Sequence, residues 1–486
     1  MTSESLVALT HAVRPRLVAK YCGQLILVVA ALTLVPLATA LTLGDVAVCW
    51  RVGEVAVVLG CVGTLASRLK VTESIQANEA LVVTALSYVV TSAAMAWPFM
   101  LAANGPLDAW FETVSAVTTT GLSTFAHPGS MPRALLFMRA YLQWFGGLGI
   151  AVLSVALLNR NSVSLQRLIG KATGEEFIAT TRIHAQRMAA VYVGLTALAI
   201  AVIVASGATV FDGVCHALAA ISTGGFSTRD QSLAGLSGWP VPAAVTLFSF
   251  LGAVSLPLYF FAYRRDWRRV ARDEELRALC SLACVVCIGF YLFQFGWRLP
   301  RADAVGRSVV IGTSALTTAG FTNLPIDQLC SAAKIWLMLA MTCGGGIGST
   351  AGGVKLTRVI LMLRLLKLHL HKLALPPHAV AELRIAGQPV GHEEIAQAAL
   401  VIAAFVTVVV LSWLPFVAAG HDPLNALFEV TSATGTVGLS TGITGPELAP
   451  GLKALLCLDM LCGRVEFIAM LVLVSPATWF GPRGQI

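Results

Sequence analysis

Four short runs of Thr, Ser and Gly interrupt a strongly apolar chain: Thr118-Thr119-Thr120-Gly121, Ser222-Thr223-Gly224-Gly225, Thr317-Thr318-Ala319-Gly320 and Gly435-Thr436-Val437-Gly438. Each has Thr at its second position and Gly at its fourth. A large apolar residue and then Ser or Thr follow: Leu122-Ser123, Phe226-Ser227, Phe321-Thr322 and Leu439-Ser440. Four small, flexible, carbonyl-presenting segments can ring one axis. A ring of backbone carbonyls can replace the water around a dehydrated cation. Gly at every fourth position permits the backbone geometry that presents those carbonyls. The runs therefore predict an ion pathway built by a single chain.

Positioning such a ring takes a repeated unit. The four glycines recur about every hundred residues, which suits a unit of span, pore loop and span. The first and fourth units align best, as Asp108–Ala116 against Asn425–Ala433. Asp108, Asp212 and Asn425 each stand thirteen residues before their Gly, so a short re-entrant helix is expected to start there with these residues as N-caps. Glu112 and Glu429 then fall in its first turn, at the positive dipole end, with helix capping as most of their job. In the third unit Arg307 holds the cap position, with Asp303 nearby. Small residues converge six positions before each Gly: Ser115-Ala116, Ala219-Ala220, Ser314-Ala315 and Ser432-Ala433. His216, in the second short helix, reads as a packed or hydrogen-bonded side chain.

A second pattern follows each run by about twenty-six residues: Gln143-Trp144-Phe145-Gly146-Gly147, then Gly252, then Gly344–Lys355, then Gly463-Arg464-Val465-Glu466. The third version holds Gly344, Gly345, Gly346, Gly348, Gly352 and Gly353, with Ser349, Thr350 and Ala351 among them. Each Gly costs about 1 kcal/mol against Ala in a helix. Broken backbone at membrane depth is tolerated only against protein or a water-filled cavity. An irregular, movable loop over 344–353 is expected beneath the runs. Arg464 lies in an apolar span, where an Arg costs on the order of 2.5–3.5 kcal/mol. Two roles stand open for it: a fixed charge hindering cations, or a structural donor to broken-helix carbonyls. Glu466, two residues on, faces another way and is not expected to pair with it.

Composition agrees with a membrane-embedded chain. Of 486 residues, 57% are hydrophobic and 12% charged, with mean hydropathy +0.79; soluble domains carry about 25% charged residues. Spans are expected near 23–43, 53–67, 80–103, 136–158, 188–209, 241–262, 277–296, 331–369, 396–418 and 452–478. The expected fold is an all-α polytopic membrane protein: two leading helices (1–78), then pore repeats at 79–160, 161–263, 264–370 and 371–486, around a pseudo-fourfold pore. The net charge of +8 reflects basic residues at span ends, with anionic lipid as a contact, and does not point to nucleic acid. They put the N-terminus inside and the four loops outside; Arg298 and Arg301 run against that pattern. The basic Arg14–Lys20 stretch and the following apolar run loosely mimic a signal peptide, but the run continues to Leu43, so a retained first span is expected. Eleven cysteines show no disulfide framework. Cys280, Cys284 and Cys287 have helical spacing but no His or carboxylate companions, and read as core residues.

Together these residues resemble the TrkH/KtrB superfamily of potassium-translocating subunits, and TrkH more closely because of the two leading spans. The resemblance rests on the four runs, Gln143–Gly147, Gly348–Lys355, Gly463–Glu466 and the stretch His378–Val390. It implies potassium uptake across the bacterial inner membrane. K+ would sit at the carbonyls of Thr118, Thr119, Ser222, Thr223, Thr317, Thr318, Gly435 and Thr436. It also implies a gate made by 344–353 with Lys355 and Arg464, a homodimer with one pore per protomer, and a cytosolic TrkA-type nucleotide-binding partner. No cofactor is expected, and the glycines at 344–353 are no phosphate-binding loop because they lie in a span. Thr181-Arg182-Ile183, the single Gly252 and Arg307 depart from the family pattern. Alternatives are a KdpA-like pump subunit and a Na+-permeable transporter of the plant HKT type, in which Ser goes with Na+ permeation where Gly121 stands here. From another class comes a membrane scaffold or enzyme using glycines only for packing, for which His216 and Glu112 are too sparse a constellation.

Overall fold

The computed structural model describes residues 12–71, 75–158, 175–236, 238–296, 301–374, 383–385 and 388–480. Arg298, His378–Val380 and Gly387 lie outside them. Among the described residues the regular structure is helical apart from two-residue antiparallel strands, β1 (Arg384–Ile385) and β2 (Gln388–Pro389). The first helices are α1 (Pro15–Leu32), α2 (Leu34–Leu43) and α3 (Val46–Ser67). The first repeat is α4 (Ala77–Phe99), α5 (Pro106–Val117) and α6 (Arg133–Leu158); the second is α7 (Glu175–Ala205), α8 (Val210–Ile221), α9 (Pro240–Ala253) and α10 (Leu256–Tyr263). After α11 (Trp267–Ala271) comes the third, α12 (Glu274–Phe295), α13 (Ala302–Leu316), α14 (Ser331–Cys343) and α15 (Leu356–Lys372). The fourth is α16 (His392–Ala418), α17 (Pro423–Thr434), α18 (Pro450–Arg464) and α19 (Ile468–Val474), with α20 (Pro476–Phe480) closing the chain.

Among the described residues, six helices are long and apolar enough to cross a bilayer: Pro15–Leu43, Val46–Ser67, Asn78–Phe99, Ile183–Ala205, Glu274–Phe295 and His392–Ala418. They carry exposed Leu, Val and Trp side chains, as lipid-facing helices do. Cys280 and Cys284 are exposed on α12, which corrects their reading as core residues.

Three expected spans are broken. The stretch 331–369 divides at the glycine loop, as anticipated. The stretch 241–262 bends by 96° between α9 and α10. Pro257 has no N–H to give the Ala253 carbonyl, which instead accepts from Gly346 N at 3.1 Å. The stretch 452–478 breaks after Arg464, where Glu466 (φ 61°) and Phe467 (φ 57°) enter the left-handed region.

The four short helices α5, α8, α13 and α17 each pack between the long helix before and the helix after. Contacts then pass to the next unit: α6 meets α8, α9 meets α13, α14 meets α17, and α18 returns to α5. This cycle closes the four repeats into a ring.

The short helices start earlier than expected. Thr209 caps α8 by accepting from Asp212 N, and Asp422 caps α17 by accepting from Asn425 N, while Gly105 precedes α5. Asp108, Asp212 and Asn425 therefore sit inside the first turn and are not the caps. Pro106 and Pro423 at the helix starts explain the shift in α5 and α17, since a Pro ring is preset for that position. In the third repeat Arg301 occupies the cap position, and Arg307 pairs with Asp303 one turn earlier at 2.9 Å.

Candidate functional site

Each short helix ends in the same way. Its C-terminal N–H and C=O groups are closed by a six-to-one bond and a five-to-two bond, the Schellman arrangement. Thr120 N donates to Ser115 O and Thr119 N to Ala116 O; Gly224 N donates to Ala219 O and Thr223 N to Ala220 O. The pattern repeats with Ala319 and Thr318 onto Ser314 and Ala315, and with Val437 and Thr436 onto Ser432 and Ala433. Such a turn needs a left-handed residue, usually Gly. Here it is the second-position Thr each time: Thr119 (φ 55°), Thr223 (φ 51°), Thr318 (φ 55°) and Thr436 (φ 50°). A β-branched residue in that region is a strained outlier. The same strain in four equivalent places marks a functional constraint.

Among the described residues, no N–H or O–H donates to the carbonyls of Thr119, Thr223, Thr318 and Thr436, although all four residues are buried. The first-position carbonyls differ. Gly435 O accepts from Gly353 N at 3.0 Å and Ser222 O from the Thr223 hydroxyl at 2.7 Å. The hydroxyls of Thr119 and Thr436 are buried without a partner among the described residues. Thr118, Thr120, Thr317, Ala319 and Val437 are buried around them.

The fourth-position glycines interlock the runs. A Cβ on Gly121 would collide with Gly224 O, one on Gly225 with Ala319 O, one on Gly320 with Val437 O, and one on Gly438 with Thr120 O. Repeats one, two, three and four thus touch in cyclic order, with no room for a side chain at any joint.

Glu112 and Glu429 stand beyond the first turn, and their work is larger than capping. Glu112 accepts from Ser123 Oγ at 2.9 Å and from Arg139 Nε at 2.5 Å, and Arg139 lies 4.0 Å over the Phe226 ring of the next repeat. Glu429 accepts from Ser440 Oγ (2.6 Å), Thr441 N (2.9 Å) and Thr444 Oγ1 (3.0 Å). His216 holds the matching position in repeat two, bonded to Ser227 Oγ at 3.0 Å and to Asp212 O at 2.8 Å. In each case a buried polar side chain clamps the chain leaving the run.

Gln143, part of the Gln143–Gly147 pattern, bridges the first and second repeats. Its amide donates to Gly224 O, and its oxygen accepts from Phe226 N at 3.2 Å. Trp144 beside it is held by Thr196 Oγ1 at 2.9 Å and by the Tyr192 ring. Gln143→Leu leaves both buried backbone groups unpaired, at about 1–3 kcal/mol each. The expected outcome is transport reduced at least tenfold in protein that still reaches the membrane, read as tracer-ion uptake per molecule.

The loop after α14 lies against the second, third and fourth runs. Thr350 Oγ1 donates to Ile221 O and Gly252 O at 2.9 Å, Gly352 N to Thr318 Oγ1 at 2.7 Å, and Gly353 N to Gly435 O. A Cβ on Gly352 would strike Thr436 Oγ1. The loop's other half is tied by Ile347 N to Glu275 Oε1 at 3.2 Å and by Gly348 O to Leu256 N at 3.2 Å. Gly344 (φ 69°) and Lys355 (φ 79°) turn the chain at its two ends; Lys355 Nζ, buried, donates to Ala351 O, and Leu356 N to Gly345 O. Gly346 abuts Glu275, and Ser349 Oγ closes onto Gly346 O at 2.6 Å. Arg464, 2% exposed, donates to Thr350 O at 2.9 Å and Gly146 O at 3.1 Å. Glu466 pairs instead with Arg358 at 2.6 Å.

Sequence reasoning had no means of finding Lys334 and Lys453. Lys334 Nζ donates to Asn425 Oδ1 at 2.9 Å, and Lys453 pairs with Asp108 at 2.6 Å. Each joins the second helix of one repeat to the short helix of the next, at the third-to-fourth and fourth-to-first junctions.

A ring of four re-entrant helices, ending in facing carbonyl runs inside a bundle of membrane spans, defines a multi-pass membrane protein of the pore-loop class. The family model described as TrkH, cation transport protein, matches residues 61–479, and the chain belongs to that family. It is 30% identical over 427 residues to the Trk system potassium uptake protein TrkH of Vibrio parahaemolyticus, covering 83% of this chain and 87% of that protein. It is 27% identical over 440 residues to TrkG of Escherichia coli, covering 87% and 90%. The crystal structure of the potassium transporter TrkH from Vibrio parahaemolyticus superposes with a TM-score of 0.85 at 26% identity, covering 96% of this chain and all of that one.

Proposed function

We propose that this protein carries K+ into the cell through the ring of four runs. One observation carries the reading: in four runs that touch in cyclic order through their glycines, four strained Thr residues hold carbonyls that no donor among the described residues occupies. Dehydrated K+ exchanges its water for those oxygens, with Thr118 and Thr317 adding carbonyls on the same axis. The negative ends of the four short helices favour a cation there. The carbonyl ring sets selectivity against Na+, whose shorter coordination distance it does not serve.

In this reading the 344–353 loop is the gate, closed as it stands, because Gly352 and Gly353 lie against Gly435 and Thr436. Arg464 latches it through Thr350. Opening frees the loop, driven by a cytosolic nucleotide-binding subunit of the TrkA type acting on a homodimer in the bacterial inner membrane. The basic residues at span ends support a cytosolic N-terminus. Arg464→Ala is expected to raise K+ flux severalfold in protein reconstituted without a partner. Reduced flux in well-folded R464A assigns Arg464 to permeation instead.

The function is tested by rescue of a K+-uptake-deficient bacterium at low external K+, with tracer uptake measured against competing Na+. Rescue with K+ preferred is expected. Equal competition by Na+ supports the Na+-permeable alternative, and no rescue by membrane-inserted protein contradicts transport.

A further inference from the structure

Asp459 belongs to neither the four runs nor the 344–353 loop. It lies on α18, is 2% exposed, and sits inside the bundle. Its Oδ1 accepts from Ser412 Oγ on α16 at 2.7 Å, while its Oδ2 is buried with no partner among the described residues. No ion pair reaches it among the described residues. Among the described residues, the charged groups on the helices packed around it point to other partners, and none bonds to it. On α16 there is no titratable side chain between Ile395 and Ala418, and α19 has none. On α4, Tyr88 donates to Gly146 O at 3.0 Å. On α5, Asp108 is paired with Lys453 and Glu112 with Arg139. On α17, Glu429 is filled by the 440–444 segment. On α18 itself, Lys453 and Arg464 are engaged elsewhere, and Cys457 and Cys462 are free thiols.

A carboxylate in that setting has one hydroxyl donor for two oxygens. An isolated buried charge costs far more than a buried neutral acid, so such a group takes up a proton or a cation. The site offers a cation only one hydroxyl besides the carboxyl, too few oxygens to replace its water. An ionisable residue buried inside a membrane bundle is by default a functional-site hypothesis.

We propose that Asp459 is a proton-binding site within the fourth repeat, and that its occupancy controls ion flux. The proton comes from water and rests on Oδ2. Its loss places an unpaired negative charge on α18, five residues before the Arg464 that holds the loop. The helix must then admit water or shift, and the Arg464 contacts to Thr350 and Gly146 move with it. The flux part rests on the potassium reading above; the proton does not.

Infrared difference spectroscopy of the reconstituted protein reads the proton directly. The carbonyl stretch of a protonated carboxylic acid is expected in the wild type at neutral pH, disappearing on alkalinisation, and absent in D459N. A spectrum unchanged by D459N overturns the proposal, as does a carboxylate band that responds to Na+ or K+ in place of pH. Tracer flux reads the control. Wild-type K+ flux is expected to change severalfold over the pH range in which the band titrates, while D459N stays at the acid-side level throughout. Wild-type pH dependence retained in D459N overturns the control. Because the infrared arm needs no transport, a failed potassium reading leaves it interpretable.

Discussion

Replacing Gly121 by Ser lowers the preference for K+ over Na+ by about tenfold or more. Gly121 has φ 91°, a region that costs an L-residue about 1–2 kcal/mol. The new Cβ also runs into the Gly224 carbonyl of the next repeat, and backbone there cannot step aside as a side-chain tip can. Either the joint between repeats one and two opens, or both runs rotate. Each 1.4 kcal/mol lost from K+ coordination is a factor of about ten. Tracer flux in proteoliposomes under mixed K+ and Na+ gives the ratio. Unchanged selectivity in G121S would remove Gly121 from the filter.

Lys453→Met destabilises the fold more than any surface change should. Lys453 and Asp108 are nearly dry, with side chains 6% and 10% exposed, and Nζ also donates to Pro446 O at 2.7 Å. Removing one partner of a buried pair costs about 3–5 kcal/mol, because the other charge stays behind unpaired. This pair joins the last repeat to the first, so its loss strikes the closure of the ring. The expected result is a markedly lower thermal unfolding midpoint for K453M in lipid nanodiscs, partly recovered in D108N/K453M. Equal midpoints for wild type and K453M would show that the ring closes without the pair.

Much of this site was legible in the chain because its needs are local. A Thr followed two residues later by Gly recurs four times, and glycines at 344–353 cannot hold a helix. The rest depended on contacts that spacing does not encode. The left-handed Thr residues were hidden because sequence reasoning assigns such backbone to Gly, and here tertiary packing overrides it. His216 was not recognised as the counterpart of Glu112 and Glu429, since only the hydrogen bond to the downstream Ser is shared. The pairing of Lys453 with Asp108 spans 345 residues. The break after Ala253 falls in apolar sequence, where only Pro257 gave a clue, and the break after Arg464 falls at Glu466 and Phe467, inside a stretch that reads as one span. The starts of the short helices were misplaced because an Asp inside the first turn and an Asp at the cap look alike without the Thr209 or Asp422 contact.

The central claim is that Gly121, Gly225, Gly320 and Gly438 surround one axis on which K+ loses its water. Anomalous diffraction from crystals soaked in Rb+ or Tl+ tests it most directly. Density is predicted on that axis, level with the carbonyls of Thr119, Thr223, Thr318 and Thr436. An axis empty of ions at saturating Rb+, or density only elsewhere in the bundle, would contradict the account.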